Sequence, residues 1–146
     1  MRNKTTPIIQ LYLRLAIGIP FFIYGTDRLG LWGKYGEKNI SWGDWEHFMQ
    51  YAATVMGFLP YQVAQVLAII ATTAEISVGI LLVTGYKTRY AALAAGILSL
   101  FFAISMAISF GILSPLGYGV FAVSAGGFLL YTVGEYHYSV DKLLGK

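Results

Sequence analysis

Two charged side chains, Arg14 and Glu75, interrupt long apolar stretches of the sequence and are its first candidates for chemistry. A charge at the centre of a bilayer costs about 2.5–3.5 kcal/mol or more, so each should face other helices and have a partner. Counted from the same side of the membrane, at a helical rise of ~1.5 Å per residue, Arg14 lies ~9 Å deep and Glu75 ~15 Å deep. An extended arginine side chain covers that difference, and we therefore predict a buried Arg14–Glu75 ion pair.

The predicted pair has two interpretations, and the sequence leaves both open. In the first, the pair fixes the register of two helices and does nothing else, because buried pairs are weak evidence of stability and are sometimes retained for specificity. In the second, it forms the polar floor of a small-molecule pocket, where Glu75 accepts a proton and Arg14 stabilises developing negative charge.

A second group of polar and aromatic side chains lies at the end of the first apolar stretch: Tyr24, Asp27, Arg28 and Trp32. Aromatic residues are enriched where a helix leaves the membrane, so we favour an aromatic belt around a helix terminus. The alternative is the mouth of a pocket, in which a planar ring stacks and forms hydrogen bonds.

Several chemistries are excluded by residue type. The chain has no cysteine, which excludes thiol redox chemistry, iron–sulfur clusters and c-type haem attachment within it. Its two histidines, His47 and His137, fall on opposite sides of the predicted membrane and cannot share a metal, so no metal or haem site is expected. The net charge of +3 is small, and the basic residues are scattered, so no nucleic acid partner is expected.

The elements that must position these residues are membrane-spanning helices. The sequence is 57% hydrophobic and only 12% charged, about half the charge of a soluble protein. Apolar stretches at about 8–25, 61–85, 90–112 and 116–133 each have about the length that a helix needs to cross the bilayer. We predict an all-α fold, a single domain over residues 1–146 that forms an integral membrane four-helix bundle.

The distribution of basic residues predicts the orientation of the bundle. Six lie on one side, and the other side holds three, in the segment between the first two helices; the six are Arg2, Lys4, Lys87, Arg89, Lys142 and Lys146. Because cytoplasmic loops are enriched in Lys and Arg, both termini should be cytoplasmic in a multi-pass protein of the cell (inner) membrane. The aromatic-rich segment at about 26–58, between helices 1 and 2, is then external.

Three segments resemble the DoxX family of small four-helix membrane proteins. Residues 14–29 follow that family's opening pattern R-L-x-x-G-x-x-F-x-x-x-G-x-x-K-L, with Arg28 in place of the usual lysine. Residues 58–60 resemble the turn before the second helix, and residues 75–92 resemble E-x-x-x-G-x-L-L-x-x-G-x-x-T-R-x-A-A. The external segment is longer than expected for the family, and the resemblance fades after about Ala95.

The resemblance implies a membrane subunit of a quinone-linked oxidoreductase, since the family includes a subunit of thiosulfate:quinone oxidoreductase. A quinone would then be the cofactor, with Glu75 and Arg14 as catalytic residues and contacts from Tyr24, Asp27, Arg28 and Trp32. A redox subunit, or a second copy of the chain, would be the partner within the lipid bilayer. The alternatives are a non-catalytic scaffold that anchors a partner protein and a small proton-coupled exporter. The exporter ranks last, because pairing with Arg14 stabilises the charged form of Glu75.

Overall fold

The computed structural model describes residues 6–145, and within that range the chain is helical and forms no strand. In chain order the helices are α1 (Thr6–Asp27), α2 (Trp45–Val55), α3 (Tyr61–Thr84), α4 (Thr88–Phe110), α5 (Leu113–Gly117), α6 (Val120–Tyr131) and α7 (Val140–Leu143). The all-α prediction is therefore confirmed.

Three helices, α1, α3 and α4, are long and apolar enough to cross a membrane. The fourth predicted span, 116–133, is interrupted at Gly119, whose φ of +66° breaks the helical path and separates α5 from α6. Glycine adopts this left-handed conformation readily, which leaves α6 with only 12 residues. The four-helix bundle and its orientation stay predictions, and three of the basic residues behind the orientation lie outside the described residues: Arg2, Lys4 and Lys146.

Glycines set the register between α1 and α3. A Cβ atom added at Gly79 would lie 2.6 Å from the backbone nitrogen of Phe22, and one added at Gly25 would lie 2.7 Å from the Ile76 side chain. Small residues of this kind allow close approach between membrane helices. In the resulting register α1 ends beside the middle of α3, while Arg14 lies at the level of Gly85, just beyond the end of α3.

The buried apolar residues form two separate clusters. One includes Phe21, Val78 and Leu82, and the other joins α2 to the first half of α3 through Phe48 and Ala68. Between Ala68 and Val78, the buried residues of α3 are Thr72 and Glu75. A polar layer therefore separates the two apolar clusters on α3.

Close backbone contact also joins α4 to α6. Ser124 donates a hydrogen bond of 2.8 Å to the carbonyl of Gly96, and Gly127 lies directly against Gly96. The spacing of Gly119, Ala122 and Gly126 predicts a packed face of small residues on the fourth span. This prediction is wrong, because Ala122 is exposed and the two glycines are only partly buried. The break at Gly119 resets the helix, so that Ser124 and Gly127 face α4 instead.

We expect Gly127→Ala to destabilise the protein by about 1–3 kcal/mol, the usual cost of overpacking. The new Cβ would lie 2.6 Å from the backbone nitrogen and 2.8 Å from the Cα of Gly96, and backbone atoms cannot rotate away. Gly126→Ala is the matched control, since its Cβ would meet only the Leu13 and Ile17 side chains, at 3.2 and 3.4 Å. Thermal unfolding in detergent measures both, and equal midpoints would contradict the proposed backbone contact.

Candidate functional site

A buried arginine–glutamate pair lies where α1 ends beside α3. Arg28 Nη1 forms a salt bridge with Glu75 Oε2, and the two side chains are only 9% and 7% exposed. The same nitrogen donates a hydrogen bond of 2.8 Å to Thr72 Oγ1, one turn before Glu75 on α3. Phe48 of α2 covers the guanidinium, whose Cζ lies 4.0 Å from the ring centroid, within the range of a cation–π contact.

The predicted ion pair between Arg14 and Glu75 is therefore wrong. Arg14 is 1% exposed, and its Nη atoms donate hydrogen bonds to the carbonyls of His137, at 3.3 Å, and Tyr138, at 2.6 Å. The register of α1 against α3 explains the error, because it places Arg14 beside Gly85 and not beside Glu75. The two residues do not share a site.

Arg14 belongs instead to a polar cluster that holds the C-terminal segment, residues 137–141, against the bundle. The Asp141 carboxylate accepts the backbone N–H groups of Lys87 and Thr88, each at 2.8 Å, at the start of α4. The Asp141 N–H in turn donates to the carbonyl of Gly85, and Gln10 accepts the N–H of His137. We call these contacts the C-terminal clamp.

Asp27 holds the segment between α1 and α2 against the end of α1. Its Oδ2 atom accepts the backbone N–H groups of Ser41 and Trp42, at 3.0 and 2.8 Å. Its other oxygen, Oδ1, is buried and has no hydrogen-bond partner among the described residues. Asp27 is next to Arg28 in the chain, so the loop that it holds lies beside the buried pair.

The other two predicted contact residues lie nearer the surface. Trp32 donates a hydrogen bond of 2.7 Å from Nε1 to Thr26 Oγ1, while about half of the residue stays exposed. Tyr24 is also half exposed, on the outer face of α1, whereas Phe21 and Gly25 lie on the packed face. Asp27, Arg28 and Trp32 are thus at one end of α1, and Tyr24 is not part of the buried pair.

Helix α2 places Phe48 over Arg28. It begins after Asp44, whose side chain accepts the backbone N–H of His47 at 2.9 Å, the usual role of an N-cap. This backbone hydrogen bond, together with the His47 ring, holds the pKa of Asp44 below its ordinary value. The His47 ring also stacks on Tyr35 at 3.6 Å, which joins the start of α2 to the loop between α1 and α2.

The pair combines hydrogen-bond donors with a carboxylate that can take up a proton. Arg28 Nε is buried and has no acceptor among the described residues, so one buried donor of the pair is unsatisfied. Within residues 6–145, no group of three or more histidine, aspartate or glutamate side chains is arranged to hold a metal ion. The arrangement thus suits a neutral molecule with a hydrogen-bond acceptor.

Sequence reasoning missed two residues of this site. Thr72 could have been found, because a spacing of three puts it on the same helix face as Glu75. Phe48 gave no such signal, since its contact with Arg28 depends on how α2 folds back over the end of α1.

Comparison with known proteins supports the earlier resemblance. The model of the DoxX family matches residues 9–108, a range that includes Arg28, Phe48, Thr72 and Glu75. No curated protein and no solved structure matches the chain.

Proposed function

The chain belongs to the DoxX family, and from that premise we propose that it is a membrane subunit of a quinone-linked oxidoreductase. The observation that carries the proposal is the buried Arg28–Glu75 pair between two apolar clusters. The three apolar helices and the family indicate a membrane protein. Placement in the inner membrane with both termini cytoplasmic is part of the proposal.

The residues of the pair fit the headgroup of a quinone. The unpartnered Nε–H of Arg28 is a donor for a carbonyl oxygen, and a charged donor forms a stronger hydrogen bond than a neutral one. Phe48 and Trp42, whose ring centroids are 5.6 Å apart, supply aromatic surface on the α2 side. When bound, a quinone would supply two-electron chemistry, with the electrons coming from a partner redox subunit.

The chain's own residues would handle charge and protons. Arg28 stabilises negative charge on a carbonyl oxygen, and Thr72 Oγ1 fixes the orientation of the guanidinium. Glu75, in contact with Arg28, exchanges a proton at its carboxylate oxygens.

The test is the quinone content of detergent-purified protein, measured by solvent extraction and chromatography. We expect near-stoichiometric quinone in the wild type and only the lipid background in the double variant Arg28→Met/Glu75→Leu, which replaces the pair by apolar groups. Glu46→Gln, an exposed carboxylate on α2, is the matched control and should keep its quinone. A wild type with no enrichment over the lipid background would overturn the tight quinone site.

A second candidate is a scaffold that anchors a partner protein through the external segment. Large apolar side chains are exposed there, with Leu31 66% and Trp32 51% exposed, on a loop that Asp27 holds in place. The double variant separates the two functions, because a scaffold would keep its partner without the buried pair.

A further inference from the structure

A groove of about 540 Å³ lies at the end of α3, where Thr84 follows Glu75 of the Arg28–Glu75 pair by nine residues. One wall is Thr84, at the end of α3, and the other is formed by residues 137–143. The C-terminal clamp fixes this second wall, since Arg14 binds the carbonyls of His137 and Tyr138 from the inside. Contacts within the chain therefore fix the position of this wall.

Next to Thr84, the outer surface of α3 carries exposed apolar side chains. Ile80 and Val83 of α3 are 47% and 39% exposed, one turn or less from Thr84. On the other wall, Leu143 is 86% exposed. This apolar surface beside the end of a spanning helix lies where the acyl chain of a lipid would meet the protein.

The charge around the groove is positive. The described segments 84–90 and 132–145 carry three exposed cations and one exposed carboxylate. The cations are Lys87, Arg89 and Lys142, and the carboxylate is Glu135. The carboxylate of Asp141 is buried and engaged with backbone amides. Lys142 Nζ lies 3.4 Å from Glu135, and this lysine is about half exposed.

We propose that this groove binds an anionic phospholipid. Lys142 supplies the positive charge for the phosphate, beside the imidazole of His137, and the acyl chains lie along Ile80 and Val83. The exposed apolar side chains beside the groove, Ile80, Val83 and Leu143, favour a membrane lipid over a free phosphate ion. Glu135 competes with the lipid phosphate for Lys142 and sets the affinity.

The test is native mass spectrometry of delipidated protein titrated with dioleoyl phosphatidylglycerol or dioleoyl phosphatidylcholine. The wild type should prefer the anionic lipid, and Lys142→Ala should weaken its binding about fivefold, the effect of one lysine at an anionic surface. Glu135→Gln should strengthen it, because the competing carboxylate is gone. Lys34→Ala, an exposed lysine of the external segment, is the matched control and should change nothing.

Three outcomes would overturn the proposal. The first is equal binding of the two lipids by the wild type, and the second is unchanged binding after Lys142→Ala. The third is displacement of phosphatidylglycerol by millimolar inorganic phosphate, which would indicate a site for a free anion. Opposite effects of Lys142→Ala and Glu135→Gln cannot come from general unfolding, so the pair of variants keeps the test independent of stability.

Discussion

Arg28→Met should destabilise the protein by about 3–5 kcal/mol, the usual cost of removing one partner of a buried ion pair. The Glu75 carboxylate is 7% exposed, and the variant leaves it between two apolar clusters without its cation. Thr72 loses its hydrogen bond to Arg28 at the same time. Unfolding in detergent, followed by circular dichroism, measures the loss.

The double variant Arg28→Met/Glu75→Leu should recover most of this stability, because apolar replacement of a whole buried pair is often neutral. The wild type, Arg28→Met, Glu75→Leu and the double variant form a double-mutant cycle. This cycle isolates the coupling between the two side chains. Additive effects of the single variants would contradict a direct pair. Recovery of the fold without quinone would separate the chemistry of the pair from its structural role.

Arg14→Met should release the C-terminal segment from the bundle. The variant removes two hydrogen bonds from a charged donor to the carbonyls of His137 and Tyr138, and bonds of this kind contribute about 1.5–3 kcal/mol each. A loss of about 3 kcal/mol, the lower end for two such bonds, corresponds to a roughly 150-fold loss of hydrogen-exchange protection. The amides of Lys87 and Thr88 report it, since both donate to Asp141.

Arg89→Met is the matched control for this prediction. Arg89 lies in the same basic end of the molecule but is exposed, with its guanidinium 4.9 Å from the Tyr131 ring. Its replacement should leave the protection of both amides almost unchanged. Equal protection in the wild type and Arg14→Met would show that the C-terminal clamp does not depend on Arg14.

The sequence predicts the helices of the first three spans well, because each is a long apolar stretch with clear ends. It also identifies Arg14 and Glu75 as buried, since an intramembrane charge must face the protein interior. It fails on the fourth span, where a single glycine conformation at Gly119 breaks a stretch that is apolar throughout.

The partners of the charged residues could not be predicted for a different reason. Counting depth from the ends of apolar stretches assumes that the ends of α1 and α3 are level. Contacts at Gly25 and Gly79 shift α1 along α3, and composition does not encode that shift. Arg28 was predicted just beyond the first span, and it does follow the end of α1, but the shift brings it beside Glu75.

Asp141 was not singled out at all by sequence reasoning, because it lies beyond the last apolar stretch. Its carboxylate binds the backbone of Thr88 only because the chain turns back to the start of α4. The two residues are 53 positions apart in the sequence. Pattern analysis detects local periodicity, and it gives no information about contacts of this kind.

Arg14, within α1, and Arg28, directly after it, impose an order on assembly during synthesis. Arg28 can bind Thr72, 44 residues later in the sequence, as soon as α3 has been synthesised. The carbonyl groups that accept from Arg14 follow it by 123 and 124 residues. Because chains are made from the N-terminus, the Arg14 guanidinium lacks these acceptors until residues 137 and 138 have been made. A segment made 123 and 124 residues after Arg14 therefore completes the burial of α1.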